Sequence, residues 1–304
     1  MQKSQYIWMN GNFIDWDAAQ THVLTHALHY GSGVFEGIRA YETPKGPAIF
    51  KAEAHYKRLL ESCDAYYMVC PYSVDTFIQM SIELIQKNNL PSCYLRPLVY
   101  TDYGSIGIIP KDNPISTFIA AWEWGSYLGD DGLKNGIRCV ISDIKKTPSA
   151  AMPSTAKSCA NYANSFLAKR HALNAGYDEA ILLNMDGFIA EGPGENIFVI
   201  KNGKIKTPPI VDDVLKGITR DTVIALAKDL DYELIEDSVT LTELLSADEC
   251  FFTGTAAEVT PIKEINNHSI GNGGMGSITK EIQALYFNIV KGLDPKYEDW
   301  LTYC

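Results

Sequence analysis

Apolar residues recur at two spacings along this chain, and the switches between them outline its elements. Short apolar runs bounded by turn residues predict strands, and recurrence at three and four positions predicts helices. Near the start, apolar stretches at 6–9 and 13–14 flank Asn10-Gly11, a pair that tolerates the positive φ angles of a tight hairpin. A helix is expected over about 53–66, with Leu59, Leu60 and Cys63 at helical spacing and Arg58 beside them. A second, over about 74–87, sets Phe77, Ile78, Ile82 and Ile85 on one stripe. Strands follow at 93–100 and 117–124. Residues two apart in a strand face the same side, which pairs Tyr94 with Arg96 and Trp122 with Trp124.

The periodicity then lapses. Residues 125–136 (GSYLGDDGLKNG) are the most Gly/Asp-rich stretch and read as an interdomain linker. Beyond it come a strand at 137–142, a helix at 161–175 closed by Gly176, and hairpin turns at Asp186-Gly187 and Asn202-Gly203. A helix at 221–230 carries Val223, Ile224, Ala227 and Leu230 on one face. A strand at 249–253 and an amphipathic helix at 278–290 complete the pattern. Strands joined by tight turns and mixed with separate helices indicate an α+β fold, not a regular βαβ winding. With 304 residues, two domains are expected: 1–124 and 137–304, joined by 125–136.

Composition narrows the partners. Apolar residues make up 46% and charged residues 21%, ordinary values for a chain with a sizeable core. Twenty-six Lys and Arg against 37 Asp and Glu leave a net charge of −11, which argues against nucleic acid and anionic membranes. No apolar run approaches a membrane span, and residues 1–13 resemble neither a signal peptide nor an Arg-rich transit peptide. The seven cysteines are scattered and never spaced C-x-x-C, so free thiols in a reducing, cytoplasmic compartment are expected.

Several constellations carry candidate chemistry. His22, His26 and His29 would share a helix face, a zinc-like spacing that lacks an accompanying carboxylate, so no metal is expected. GNGGMG at 271–276 satisfies G-x-G-x-x-G, yet too little chain follows its helix for a dinucleotide fold. Lys157 lies among small residues in STAKSCANY, where a sheltered amine could lose its proton and form an imine, or simply be a solvated lysine. Glu191 sits at a Gly-rich turn entering a strand. Gly217-Ile218-Thr219-Arg220 opens the 221–230 helix, where N–H groups suit a phosphate or where Thr219 is a plain N-cap. The turn at Gly254-Thr255-Ala256-Ala257 offers N–H groups to an anion or is an ordinary strand end.

Together and in this order, the segments HALHYGSGVFEGIRAY (26–41), HYKRLL (55–60), YLRPL (94–98), AWEWGSYLG (121–129), PSTAKSCANY (153–162), EGPGENIF (191–198), GITRD (217–221) and TGTAAE (253–258) resemble the class IV pyridoxal-phosphate aminotransferases over essentially the whole chain. The nearest branch is the branched-chain amino-acid aminotransferases. Pro193 departs from the class signature, where a small residue is usual, and Cys159 and Ala160 stand where glycines are common.

The resemblance implies a two-domain, fold-type IV architecture, D-amino-acid aminotransferase-like, with pyridoxal 5'-phosphate at the domain interface. It assigns Lys157, in the C-terminal domain, as the catalytic Schiff-base lysine that also shuttles the substrate Cα proton. Glu191 would pair with the ring nitrogen, Tyr162 would bond the ring O3′, and Leu215 would pack on the ring face. Arg58, Ile218, Thr219 and Thr255 would hold the phosphate. Tyr30, Phe35, Trp124 and Tyr127 would form an aromatic box for leucine, isoleucine or valine. Arg96 would meet the glutamate γ-carboxylate, Tyr94 with Thr255 and Ala256 the α-carboxylate, and Gly37 and Arg39 would line the same pocket. The implied reaction passes the amino group of a branched-chain L-amino acid to 2-oxoglutarate. The implied assembly is a homo-oligomer, at least a dimer, with dimer versus hexamer left open. The rivals are class IV siblings acting on D-amino acids or aminodeoxychorismate, and a nicotinamide dehydrogenase using the 271–276 loop.

Overall fold

The computed structural model describes residues 2–125 and 127–304; Ser126, inside the expected linker, lies outside them. The chain divides into two compact units, each built on its own sheet.

Unit 1 begins with the expected hairpin. β1 (Tyr6–Met9) pairs antiparallel with β2 (Asn12–Asp15) across Asn10 and Gly11, both at positive φ (47° and 87°). The short α1 (His26–Tyr30) leads to β3 (Gly33–Phe35), β4 (Ile38–Thr43) and β5 (Gly46–Phe50). Then come α2 (Ala52–Ala65), α3 (Val74–Lys87), β6 (Cys93–Thr101) and β7 (Ile115–Trp122). The strands run in the order β5-β4-β6-β7-β1-β2, with β3 alongside β6. Strand alternation gives the sheet two faces. Ile38, Ala40, Leu95, Val99, Ile119 and Ala121 point into a core covered by Tyr56, Leu59, Phe77 and Leu84 of the two helices. Arg39, Tyr94, Arg96 and Trp122 alternate onto the other face. The core stripe of α3 is turned slightly from the expected one. Phe77, Ser81, Leu84 and Ile85 are buried, with Ile78 and Ile82 at the margin, because Ser81 can go inside bonded to the Tyr56 hydroxyl.

Unit 2 starts inside the expected linker. Residues 129–135 form α4 (Gly129–Asn135), where Gly132 packs on Ile137 and the Leu133 carbonyl accepts from Gln283. Then follow β8 (Ile137–Ile141), α5 (Asn161–Asn174), β9 (Glu179–Ile181), β10 (Asn196–Lys201) and β11 (Lys204–Thr207). α6 (Ile218–Asp229), β12 (Leu234–Glu236), α7 (Leu241–Leu245), β13 (Glu249–Gly254), β14 (Glu258–Ile265), β15 (His268–Ser269) and α8 (Ser277–Val290) complete it. The sheet order is β12-β11-β10-β13-β14-β8-β9, with β15 on β14. Asn202-Gly203 makes the expected β10–β11 hairpin. Asp186-Gly187 turns a shorter antiparallel pair: Leu183 bridges Ile189, the Asn184 N–H donates to the Phe188 carbonyl and the Ala190 N–H to the Leu182 carbonyl (both 2.9 Å), and the Asn184 side chain accepts from the Asp186 and Phe188 N–H groups.

Two segments of the second half of the chain belong to unit 1. Residues 156–160 join it, and so does the C-terminus from Asn288, which ends in β16 (Leu301–Tyr303) paired antiparallel with β5. The two units therefore differ from a single cut at 125–136: Lys157 belongs to unit 1. The 271–276 loop is also explained. Glu249 on β13 accepts from the N–H groups of Ile278 and Thr279 (3.1 and 2.8 Å), so a carboxylate of the protein fills the anion position at the start of α8.

Candidate active site

In unit 1 the site is organised by one stripe of α2. Residues 55, 58, 62 and 66 recur at three and four, and each reaches a different part of the same neighbourhood. Arg58 donates through Nε and Nη2 to the two carboxylate oxygens of Glu36 (2.6 and 2.9 Å), and His55 Nδ1 donates to Oε2 (2.7 Å). Glu36 is fully buried, and Arg58 and His55 beside it hold its carboxyl well below the usual carboxylate range despite that burial. Burial lowers the His55 pKa, keeping the imidazole neutral. Ser62 Oγ accepts from the Lys157 backbone N–H (3.0 Å) and donates to the Arg58 carbonyl (2.8 Å). The Tyr66 hydroxyl donates to Ser158 Oγ (2.7 Å).

The lysine segment is strapped to β3. Phe35 N–H donates to the Lys157 carbonyl (3.0 Å), Cys159 N–H to the Gly33 carbonyl (2.8 Å), and Val34 bridges Ser158. Cys159 and Ala160 are accommodated because glycines face them. A Cβ on Gly33 would lie 3.2 Å from the Cys159 sulfur, and one on Gly31 would lie 2.9 Å from the Ala160 Cβ. The Lys157 amine is 5.0 Å from the Phe35 ring centroid. Burial, and then the Arg58 charge, lower its pKa to about 8.

On the sheet face beside it, Arg96 donates to the Tyr94 hydroxyl (3.3 Å) and lies over the Phe35 ring (4.8 Å), the shared face expected from spacing. Tyr94 packs on Trp122 (5.3 Å) and Trp124 (5.1 Å). Arg96 Nε and the two indole N–H groups are buried donors without a hydrogen-bond partner among the described residues. Arg39 stands in register with Tyr94. Gly37 is required for room: a Cβ there would fall 1.9 Å from the Tyr94 hydroxyl oxygen. Tyr30, about half exposed, stacks on His26 and donates to the Ile106 carbonyl (3.0 Å). His26 itself bonds Ser32 and the Gly107 carbonyl, and α1 begins at His26, so His22 is not on its face.

In unit 2, Glu191 is held from three directions. Lys146 Nζ meets Oε1 at 2.6 Å, while Asn196 Nδ2 (3.1 Å) and the Leu215 N–H (2.9 Å) meet Oε2. Pro193 costs the turn nothing, because its hydrogen bonds are donated by Gly192 and Gly194. α6 begins at Ile218, earlier than expected. Gly217 is the N-cap and offers no side-chain cap, so Thr219 is in the first turn and not the capping residue. Tyr162 lies in the first turn of α5, Thr255 and Ala256 follow β13 in its turn to β14, and the Tyr127 ring lies 5.5 Å from Lys169 Nζ.

Spacing alone did not single out Glu36, His55, Ser62, Tyr66, Lys146 or Asn196. Glu36 had a signal, an acid inside the apolar run Val34–Ile38; Ser62 and Tyr66 had another, their distance of four and eight from Arg58. Lys146 had none.

Each unit by itself carries groups that suit pyridoxal phosphate: unit 1 a buried amine of lowered pKa and a guanidinium, unit 2 a buried carboxylate and a helix start without a side-chain cap. The comparisons agree. The model of the amino-transferase class IV family matches residues 33–265, and the chain belongs to that family, whose enzymes use pyridoxal phosphate. The chain is 44% identical over 296 residues to the branched-chain-amino-acid aminotransferase of Pseudomonas aeruginosa, covering 97% of this chain and 96% of that one. It superimposes on the crystal structure of the Escherichia coli branched-chain amino acid aminotransferase with a TM-score of 0.97 at 40% identity, covering 98% and 99% of the two chains. The branched-chain aminotransferase of the thermophilic archaeon Thermoproteus uzoniensis, solved with norvaline, gives a TM-score of 0.94 at 39% identity, covering 98% and 99%.

Proposed function

We propose that this chain transfers the amino group of leucine, isoleucine or valine to 2-oxoglutarate, giving the branched 2-oxo acid and L-glutamate. The observation that carries the reading is the Lys157 amine, lowered to about 8 and set 5.0 Å from Phe35. Arg58, Lys157, Tyr162, Glu191, Leu215, Ile218, Thr219 and Thr255 hold pyridoxal phosphate. When bound, that group supplies a carbonyl that accepts the amino group and a cationic ring that withdraws electrons. The neutral Lys157 amine takes the proton from the substrate Cα and returns it on the other side of the transfer. Phe35, Trp124 and Tyr127, with Tyr30, give an apolar wall for a branched side chain. Arg96 takes the γ-carboxylate of glutamate, Tyr94, Thr255 and Ala256 take the α-carboxylate, and Gly37 and Arg39 line the same site.

The enzyme works as a homo-oligomer, at least a dimer. Exposed Val23, Leu28, Ile108 and Ile109 support this, gathered by the bonds of His29 to Val23, His26 to Gly107 and Tyr30 to Ile106. It works in the cytoplasm, consistent with seven unpaired cysteines and, among the described residues, no helix long and apolar enough to cross a membrane. The test is a half-reaction panel. L-leucine and L-glutamate should each convert the bound cofactor to its amine form, and Lys157→Ala should abolish turnover and covalent attachment of the cofactor. Conversion by D-alanine but not by L-leucine rejects the substrate assignment.

A further inference from the structure

The Glu191 carboxylate cannot be described by its own position alone. Its Oε1 is occupied by Lys146 Nζ at 2.6 Å, and the two side chains are 11% and 7% exposed. The pair is built by the backbone. Leu182 N–H donates to the Glu191 carbonyl (2.9 Å), and the next residue, Leu183, accepts from the Lys146 N–H (2.8 Å). The flanking residues of Lys146 are pinned by one side chain of α5: Asn164 donates to the Lys145 carbonyl (2.9 Å) and accepts from the Thr147 N–H (3.4 Å). A lysine on an otherwise irregular segment is thus held against a single carboxylate oxygen.

Glu191 has two neutral donors, Asn196 and the Leu215 N–H, and Lys146 as its cation. The groups that act on Lys146 are Glu191, Tyr162 and Asp213, and together they keep the amine protonated against its own desolvation.

We propose that Lys146 is a positioning residue that fixes the Glu191 carboxylate through Oε1 and so keeps a proton on the cofactor's ring nitrogen. The inference rests on Glu191 being the ring-nitrogen partner. With Oε1 held by the ammonium and Oε2 by Asn196 and the Leu215 N–H, the carboxylate is fixed as the acceptor that a protonated ring nitrogen needs, and that proton makes the ring cationic. Without the ammonium the carboxylate loses the contact that fixes Oε1, the nitrogen loses its placed acceptor, and the ring becomes a poorer acceptor of electrons.

The test uses the enzyme reconstituted with pyridoxal phosphate labelled with nitrogen-15 in the ring, comparing parent, Lys146→Met, Lys146→Gln, Lys146→Arg and Glu191→Gln. Nitrogen NMR reads the protonation state of the ring directly, and steady-state kinetics separate kcat from KM for L-leucine. The parent should show a protonated ring nitrogen. Lys146→Met and Lys146→Gln should shift it toward the unprotonated value and lower kcat about tenfold to a hundredfold, with KM little changed. Lys146→Arg should restore both. If one folded neutral variant keeps the protonated signal and the parent kcat while Glu191→Gln loses the signal, the role of Lys146 is refuted and that of Glu191 stands. If Glu191→Gln also keeps the protonated signal, the assignment of Glu191 fails and the inference with it.

Discussion

Replacing Glu36 by glutamine removes one charge from unit 1 with almost no change of shape. Glutamine can accept from only one of its two head atoms. Either an Arg58 N–H or the His55 N–H, now 2.6–2.9 Å from a carboxylate oxygen, then faces an NH2 group. Arg58, only 8% exposed, loses its neutralising partner. Breaking one side of a buried ion pair costs roughly 3–5 kcal/mol, which lowers the melting temperature of a domain of this size by about 10 °C. There is a second, independent consequence. Glu36 raises the pKa of the Lys157 amine while Arg58 lowers it, so removing Glu36 must drop the amine below its present value of about 8. Chemical denaturation reads the first effect. The pH dependence of acylation at Lys157 in the cofactor-free enzyme, followed by peptide mass spectrometry, reads the second. The parent should also lose stability as pH falls, because Glu36 titrates well below the unfolded carboxyl value near 4.5; the variant should lack that acid contribution. A variant within about 1 kcal/mol of the parent, with an unmoved Lys157 midpoint, would falsify this account of the buried ion pair.

Gly37→Ala places a methyl 1.9 Å from the Tyr94 hydroxyl oxygen, against a ring already packed on Trp122 and Trp124. It should cost about 1–3 kcal/mol and raise KM for L-leucine, and an unchanged KM would count against the placement of Tyr94. Glu249→Ala uncaps α8, costing about 1–2 kcal/mol and speeding amide exchange at Ile278 and Thr279; protection equal to the parent would contradict the capping role. Burial, and then Glu179, push the Glu195 carboxyl up to about 8. Its neutral form is thus favoured by folding, a contribution complete below about 4.5 and lost as pH rises through about 8. Glu195→Gln should flatten that alkaline loss in a thermal-melt series, and an unaltered slope would refute it.

The elements were legible where a local signal fixes them. Asn10-Gly11 and Asn202-Gly203 specify their turns through positive φ, and Gly176 ends α5 in the same way. Asp186-Gly187 carried the same signal and turns a shorter pair, Leu183 with Ile189, through Gly187 at positive φ. The start of α6 was missed because Gly217 caps it without a side chain, while Thr219 offered a better-looking cap two residues on. The helical content of 129–135 was masked by its Gly/Asp composition. Within the site, Tyr94 and Arg96 could be paired from strand parity alone. Lys146 could not be found, since its relation to Glu191 comes from hydrogen bonds to Leu182 and Leu183, and no spacing encodes that.

The return of 156–160 and of the C-terminal strand to unit 1 sets an order on the birth of the protein. A ribosome that has released residues 1–124 has not yet supplied the strap at β3 or the strand that covers β5. Until residue 303 emerges, β5 presents an open sheet edge, the kind of surface that invites pairing with another nascent chain. Unit 2 up to Phe287 is complete before unit 1 is. Residues 301–303 therefore close the unit begun first, and removing Leu301–Tyr303 should reopen an edge in the unit that carries Lys157.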